Sequence, residues 1–252
     1  MISRDALLAE LNQLLQPQYF KDYAPNGLQV QGRESIQTLV TGVTATRALI
    51  ERAVALKADA IFVHHGYFWR SEDPAITGMK YQRVKLLLDH GINLFAYHLP
   101  LDAHPELGNN AQLGKLLGFK TEGGLQPGEP RPIGNVGVLD APLTLAQLEA
   151  LVAARLGRPP LAIRGGDHPI KRVAWCTGGA QDYIEQAVAL GADAYISGEI
   201  SEQTVHVARE CGIHYLAAGH HATERGGARA VGQYLAQKFQ LDHQFVDIDN
   251  PA

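Results

Sequence analysis

The decapeptides ERAVALKADA at residues 51–60 and EQAVALGADA at 185–194 agree at eight of ten positions, and their surroundings agree as well. Ahead of the first runs LVTGVT (39–44). Behind it come ADAIFV, a helical stretch at 80–90 closed by Gly91, and INLFAYH. Ahead of the second runs RVAWCTGG (172–179), and behind it come ADAYISGE, the helical SEQTVHVAREC closed by Gly212, and IHYLAAGH. Apolar spacing of three and four marks the helices; short β-branched runs bounded by glycine mark the strands. A strand–helix–strand–helix–strand order written twice predicts one α/β unit in two copies. The expected fold class is α/β, as duplicated three-layer domains related by a pseudo-twofold.

Between the copies, TEGGLQPGEPRPIGNVG (121–137) is dense in Gly and Pro and reads as a linker or domain junction. It divides the chain into a first half at 1–125 and a second at 126–252, with interlinking of the halves left open. Residues 133–170 add a helix at 144–156 and edge strands.

Composition narrows the function classes. Of 252 residues, 46% are hydrophobic and 19% charged, as in ordinary globular proteins. A net charge of −4 gives no overall basic field for nucleic acid or anionic lipid. The two cysteines, Cys176 and Cys211, are too few for a disulfide framework or a zinc ribbon and suit a reducing compartment. The N-terminal stretch reads as an amphipathic helix capped by Ser3, with Leu7, Leu8, Leu11, Leu14 and Leu15 facing a core, rather than as a secretory signal. No apolar run reaches about 18 residues, so no membrane span is expected, and the location expected is cytoplasmic.

Ligands of open α/β sheets bind beyond the carboxyl ends of the strands. IFVHHGYFW (61–69) puts His64 and His65 at such an end, although neighbouring strand residues point to opposite faces. Two further strand ends carry His98 with Asp102 and His220 with Glu224, each carboxylate four residues after its histidine. Imidazole and carboxylate donors together suit zinc, manganese, iron, nickel or cobalt. Five such groups exceed the needs of one four-coordinate ion. Two divalent ions would use them all, with one of the histidine doublet serving each and Glu224 bridging. His98 reads either as a ligand or as a donor holding Asp102; His90, His104 and His221 are weaker ligand candidates. Glu199 and His104 are the candidate catalytic acid–base groups. Asn109 and Asn110 either cap the helix beginning near 111, the preferred reading, or hydrogen-bond a substrate. Tyr67, Phe68 and Trp69 would either stack a planar heterocycle or pack a loop or an oligomer interface.

DYAPNGLQVQG (22–32), VHHGYFW (63–69), HLPLDAHPELGNN (98–110), SGEISEQ (197–203) and GHHATERGG (219–227) together resemble the Nif-three-like family in its short form. Bacterial members of that family carry the name GTP cyclohydrolase 1 type 2 homologue. The resemblance covers nearly the whole chain and thins around 112–170. It implies a duplicated α/β fold with a dinuclear metal site between the halves, and a toroidal homohexamer built as a trimer of dimers. Carried over by motif, one ion would take His65 and Asp102, the other His64 and His220, and Glu224 would bridge, leaving His98 in a supporting role. The expected chemistry is hydrolysis by a metal-activated water on a small, heterocyclic or nucleotide-like substrate. The alternative is a non-catalytic metal-binding or metal-delivery hexamer or scaffold.

Overall fold

The computed structural model describes residues 1–252, which form two compact units. One holds Met1–Leu101 with Gly227–Asp249; the other holds Asp102–Gly226 with Asn250–Ala252. The crossing at Leu101–Asp102 differs from the boundary read at 125–126, because the Gly/Pro-rich stretch is a hairpin and not a linker. Strand Lys120–Gly124 pairs antiparallel with Asn135–Leu143 inside the second unit's sheet. Glycine is needed there for close approach: a Cβ on Gly137 would lie 2.1 Å from the Lys120 carbonyl oxygen.

The first unit's five-stranded sheet has the order Asp242–Phe245, Thr38–Thr44, Ala60–His65, Asn93–Ala96, Gly27–Val30. The first four strands are parallel and Gly27–Val30 is an antiparallel edge. Thr38–Thr44 and Ala60–His65 are buried along most of their length, which is why both read as continuous apolar runs. On one face Val40, Ile61, Val63 and Leu94 pack with residues of helices Arg47–Ala55 and Gly78–Asp89. Thr46 caps the first of these by accepting from the Leu49 N–H at 3.2 Å. Phe62 stacks on Tyr97 at 5.9 Å, and the Tyr97 hydroxyl donates to Asn12 of helix Arg4–Leu15. Ser3 caps that helix as expected, with Leu7, Leu11 and Leu15 buried.

The second unit's sheet runs Lys120–Gly124, Asn135–Leu143, Ile170–Cys176, Ala194–Ser197, His214–Ala217, Leu161–Ile163. Its three central strands from Ile170 onward are parallel. Strand alternation splits its core into two layers. Val173, Trp175, Ile196 and Leu216 pack with helices Asn109–Leu117 and Leu145–Leu156. Ala174, Cys176, Tyr195 and Tyr215 pack with helices Ile184–Ala189 and Glu202–Glu210. This unit is therefore helix, sheet and helix in three layers.

The repeat survives in strand register. Leu39 pairs with Ala60 as Val173 pairs with Ala194, and Ala60 pairs with Asn93 as Ala194 pairs with His214. The next backbone bonds, Tyr97 N–H to Val63 and Ala218 N–H to Ser197, keep the same correspondence. Under it His65 corresponds to Glu199, His98 to Gly219, and Leu99 to His220. The two histidine–carboxylate segments are therefore slid by one residue and do not occupy equivalent places. No helix is long and apolar enough to cross a membrane.

Candidate metal-binding site

In the first unit, His64, His65 and His98 bring ring nitrogens within 4.8 Å of one another. Strand alternation does not separate the doublet at its terminus, where the two rings lie 4.4 Å apart between centroids. Each imidazole is anchored through Nδ1: His64 on the Tyr97 carbonyl at 3.1 Å, His65 on the Thr44 hydroxyl at 3.1 Å, and His98 on Asp22 at 2.7 Å. A carbonyl only accepts, so His64 carries its proton on Nδ1 and its Nε2 keeps the lone pair a metal needs.

Asp22 escaped the sequence reading. Its side chain is 3% exposed and also accepts from the Tyr23 N–H, the Asn26 amide and the Leu99 N–H. Burial alone would raise its pKa; His98 and these other donors outweigh that and hold it below the usual carboxylate range. Asn26 meanwhile accepts from the His98 N–H at 2.7 Å. His98 is thus fixed by the Asp22–Asn26 loop.

The second unit supplies the carboxylates. Asp102 and Glu224 are 7% and 3% exposed, with oxygens within 4.8 Å of each other. Asn109 at 2.9 Å and Thr177 at 3.3 Å donate to Asp102 Oδ1. Asn110 donates to the Asp102 carbonyl and accepts from the Thr177 N–H. The asparagines are therefore not caps: Gly108 holds the cap position, and both amides are spent fixing Asp102 and its neighbour. His220 Nε2 lies 3.3 Å from Glu224 Oε1, and its Nδ1 lies 2.6 Å from Glu199. The hydrogen bond to Glu224, with the contribution of Glu199, overcomes burial and pushes the His220 pKa up to about 9.

Gly178 walls this cluster at φ +71°, where a Cβ would lie 2.2 Å from Glu224 Oε1 and 3.1 Å from His220 Nε2. Its N–H donates to Thr223 and its carbonyl accepts from Gly198 and Ser197, so the loop is fixed on both sides. Burial, then the negative charges of Asp102 and Glu224, push the Cys176 thiol well up, so it stays neutral beside them. His104 is outside these clusters: its Nδ1 accepts from the Glu106 and Leu107 N–H groups of its own turn. Glu199 sits behind His220, where it orients the ring.

These groups are chemically fit to hold metal ions, being imidazoles and buried carboxylates already fixed by neighbours. A sequence model of the family Duf34/NIF3 (NGG1p interacting factor 3) matches residues 2–251. A Pseudomonas aeruginosa protein named GTP cyclohydrolase 1 type 2 homolog is 53% identical over 251 residues, covering 100% of this chain and 99% of its own. A protein of the same name from Escherichia coli K12 is 54% identical over 243 residues, 96% of each chain. Among solved structures, ybgI, described as a structural-genomics protein of unknown function, matches with a TM-score of 0.96 at 52% identity over 100% of both chains. A Thermus thermophilus protein matches at 0.86 and 31% identity, again over 100% of both.

Proposed function

The chain belongs to the Duf34/NIF3 family, and from that premise and its two donor clusters we propose a dinuclear metal-dependent hydrolase of a small, heterocyclic or nucleotide-like substrate. In this reading His65 and Asp102 would hold one divalent ion and His64 and His220 the other, with Glu224 serving both. The observation that carries it is the common anchoring of His64, His65 and His220 through Nδ1, which aims each Nε2 the way a metal-binding histidine is aimed. The donor inventory supports it too. The buried carboxylates of Asp102 and Glu224, with the His220 imidazole 3.3 Å from Glu224, make the mixed nitrogen–oxygen set that zinc, manganese, iron, nickel or cobalt favours.

Divalent ions bound there would supply a water acidic enough to act as hydroxide near neutral pH and a Lewis acid for the hydrolysis. The chain's own groups do the positioning. Asn109 and Thr177 fix Asp102, Glu199 fixes the ring of His220, and Asp22 fixes His98. The relatives' name, GTP cyclohydrolase 1 type 2 homolog, fits a ring-opening hydrolysis.

Elemental analysis should find about two divalent ions per chain. A screen of nucleotides, pterins and cyclic amides should then show turnover by the wild type that Asp102→Ala lacks. Turnover that survives in Asp102→Ala would belong to a contaminant. Two ions without turnover on any of these would leave a metal-binding or metal-delivery protein. The assembly proposed with this reading is a homohexamer, so light scattering on a sizing column should give six times the chain mass of 27.3 kDa. A monomer mass would remove the toroid from the proposal.

A further inference from the structure

Of the three aromatics that follow the histidine doublet, two are packing residues and one is left at the cluster. Tyr67 is buried, its hydroxyl donating to the Ala45 carbonyl at 2.7 Å, and Phe68 packs on the first unit's core. Trp69 instead stands edge-on to His98, centroids 4.9 Å apart at 83°, and lies 5.9 Å from His65. Tyr23, 59% exposed, also meets His98 edge-on, at 6.2 Å and 65°. Two rings from two different loops thus border one imidazole. The loops are tied together: the Arg70 N–H donates to the Tyr23 carbonyl at 2.7 Å, and the Arg70 guanidinium to the Asp22 carbonyl at 2.7 Å.

This rim is held in place by more than chance packing. Phe68 has φ +64°, a left-handed conformation that bulky side chains rarely take and that persists only where the surroundings enforce it. Lys80, 8% exposed, lies beside this loop. Its ammonium pairs with Glu72 at 3.0 Å, donates to the Asp73 carbonyl and lies 5.8 Å from the Phe68 ring centroid. Glu72 in turn accepts from the Trp69 N–H at 3.1 Å. The Trp69 indole N–H is already used on the Gly66 carbonyl, so the ring offers a π-face rather than a polar edge.

We infer that Tyr23 and Trp69 form an aromatic platform that packs against a flat ring in the substrate, with the exposed Arg70 beside it taking an anionic group on that ring compound. The class this selects is planar and anionic, with purine nucleotides as its simplest representatives. The inference rests on the metal-site reading, since it places the ring at the edge of the same histidines.

The chain has two tryptophans, and Trp175 is fully buried, so fluorescence quenching by a stacked ring reports on Trp69. Guanosine monophosphate, guanosine and ribose 5-phosphate are the probes, titrated into zinc-loaded protein with the zinc content of each sample measured. Guanosine monophosphate and guanosine should quench; ribose 5-phosphate should not. Tyr23→Ala should weaken guanosine monophosphate about tenfold, as loss of one base-stacking ring does. Trp69→Ala should do the same by equilibrium dialysis, and Trp69→Phe should restore most of the binding. Arg70→Gln should weaken the nucleotide and leave guanosine unchanged. The platform is overturned if millimolar guanosine monophosphate fails to quench, or if Tyr23→Ala and Trp69→Ala bind it as the wild type does while keeping their zinc. A wild type that holds no zinc sinks the metal reading instead, and nucleotide binding by that metal-free protein still decides the platform.

Discussion

Glu224→Ala is expected to empty the protein of metal, from about two ions per chain to none, whereas His64→Ala loses mainly one. The difference follows from position. Glu224 is 3% exposed, its Oε1 is 3.3 Å from His220 Nε2, and its carboxylate lies within 4.8 Å of an Asp102 oxygen. It therefore lies beside a donor assigned to each ion. His64 presents a single Nε2 behind a single Nδ1 anchor. The variant should still fold, because what it removes is a buried carboxylate next to another one, and such like-charge pairs oppose ionisation of both groups. A second readout separates loss of a ligand from loss of structure. The bond to Glu224 is the largest cause of the raised His220 pKa, so in metal-free Glu224→Ala that value should drop from about 9 while Glu199 still holds the ring. NMR titration of the imidazole checks this, and thermal unfolding checks the fold. Elemental analysis showing unchanged stoichiometry would remove Glu224 from the bridging position.

The sequence carried much of this arrangement because the decisive features are periodic or punctuated. Buried parallel strands read as apolar runs, Ser3 announces a helix start by its side-chain cap, and Gly91 and Gly212 take the positive φ that ends helices. The doublet and the two carboxylates stood out because each follows such a strand. The groups that aim these donors were not legible, and the reason is physical. Asp22 reaches His98 across 76 residues and Thr177 reaches Asp102 across 75, so no local spacing encodes either contact. Asn109 and Asn110 misled for a related reason. Asparagine before a helix usually caps it, but burial at 0% and 2% makes these amides part of the Asp102 support. The same limit applies to TEGGLQPGEPRPIGNVG. Glycine serves a flexible linker and a close strand contact equally well, and only the pairing of Lys120–Gly124 with Asn135–Leu143 distinguishes them.

Gly178→Ala should cost metal affinity roughly ten- to a hundredfold, and a matched glycine shows how much of that is specific. Alanine at φ +71° carries a backbone penalty of roughly 1–2 kcal/mol wherever it occurs. Gly191 has nearly the same φ, +68°, with nothing within 4 Å of its added Cβ, so Gly191→Ala measures that penalty alone. It should lower stability by about 1–2 kcal/mol and keep both ions. At Gly178 the methyl would also enter the space between Glu224 Oε1 at 2.2 Å and His220 Nε2 at 3.1 Å. The loop cannot withdraw cheaply, because its N–H is bonded to Thr223 and its carbonyl to Gly198 and Ser197. The side chains must yield instead, and Glu224 is packed at 3% exposure with little room to turn. Relieving the clash shifts the Glu224 carboxylate or the His220 ring from the positions assigned to ligands. Isothermal titration of zinc into the two variants, with chemical denaturation of each, reads both effects on one scale. If Gly178→Ala binds zinc as tightly as Gly191→Ala, the space beside Glu224 and His220 is not where an ion sits. The proposed ligand set would then have to be rebuilt around the first unit's histidines.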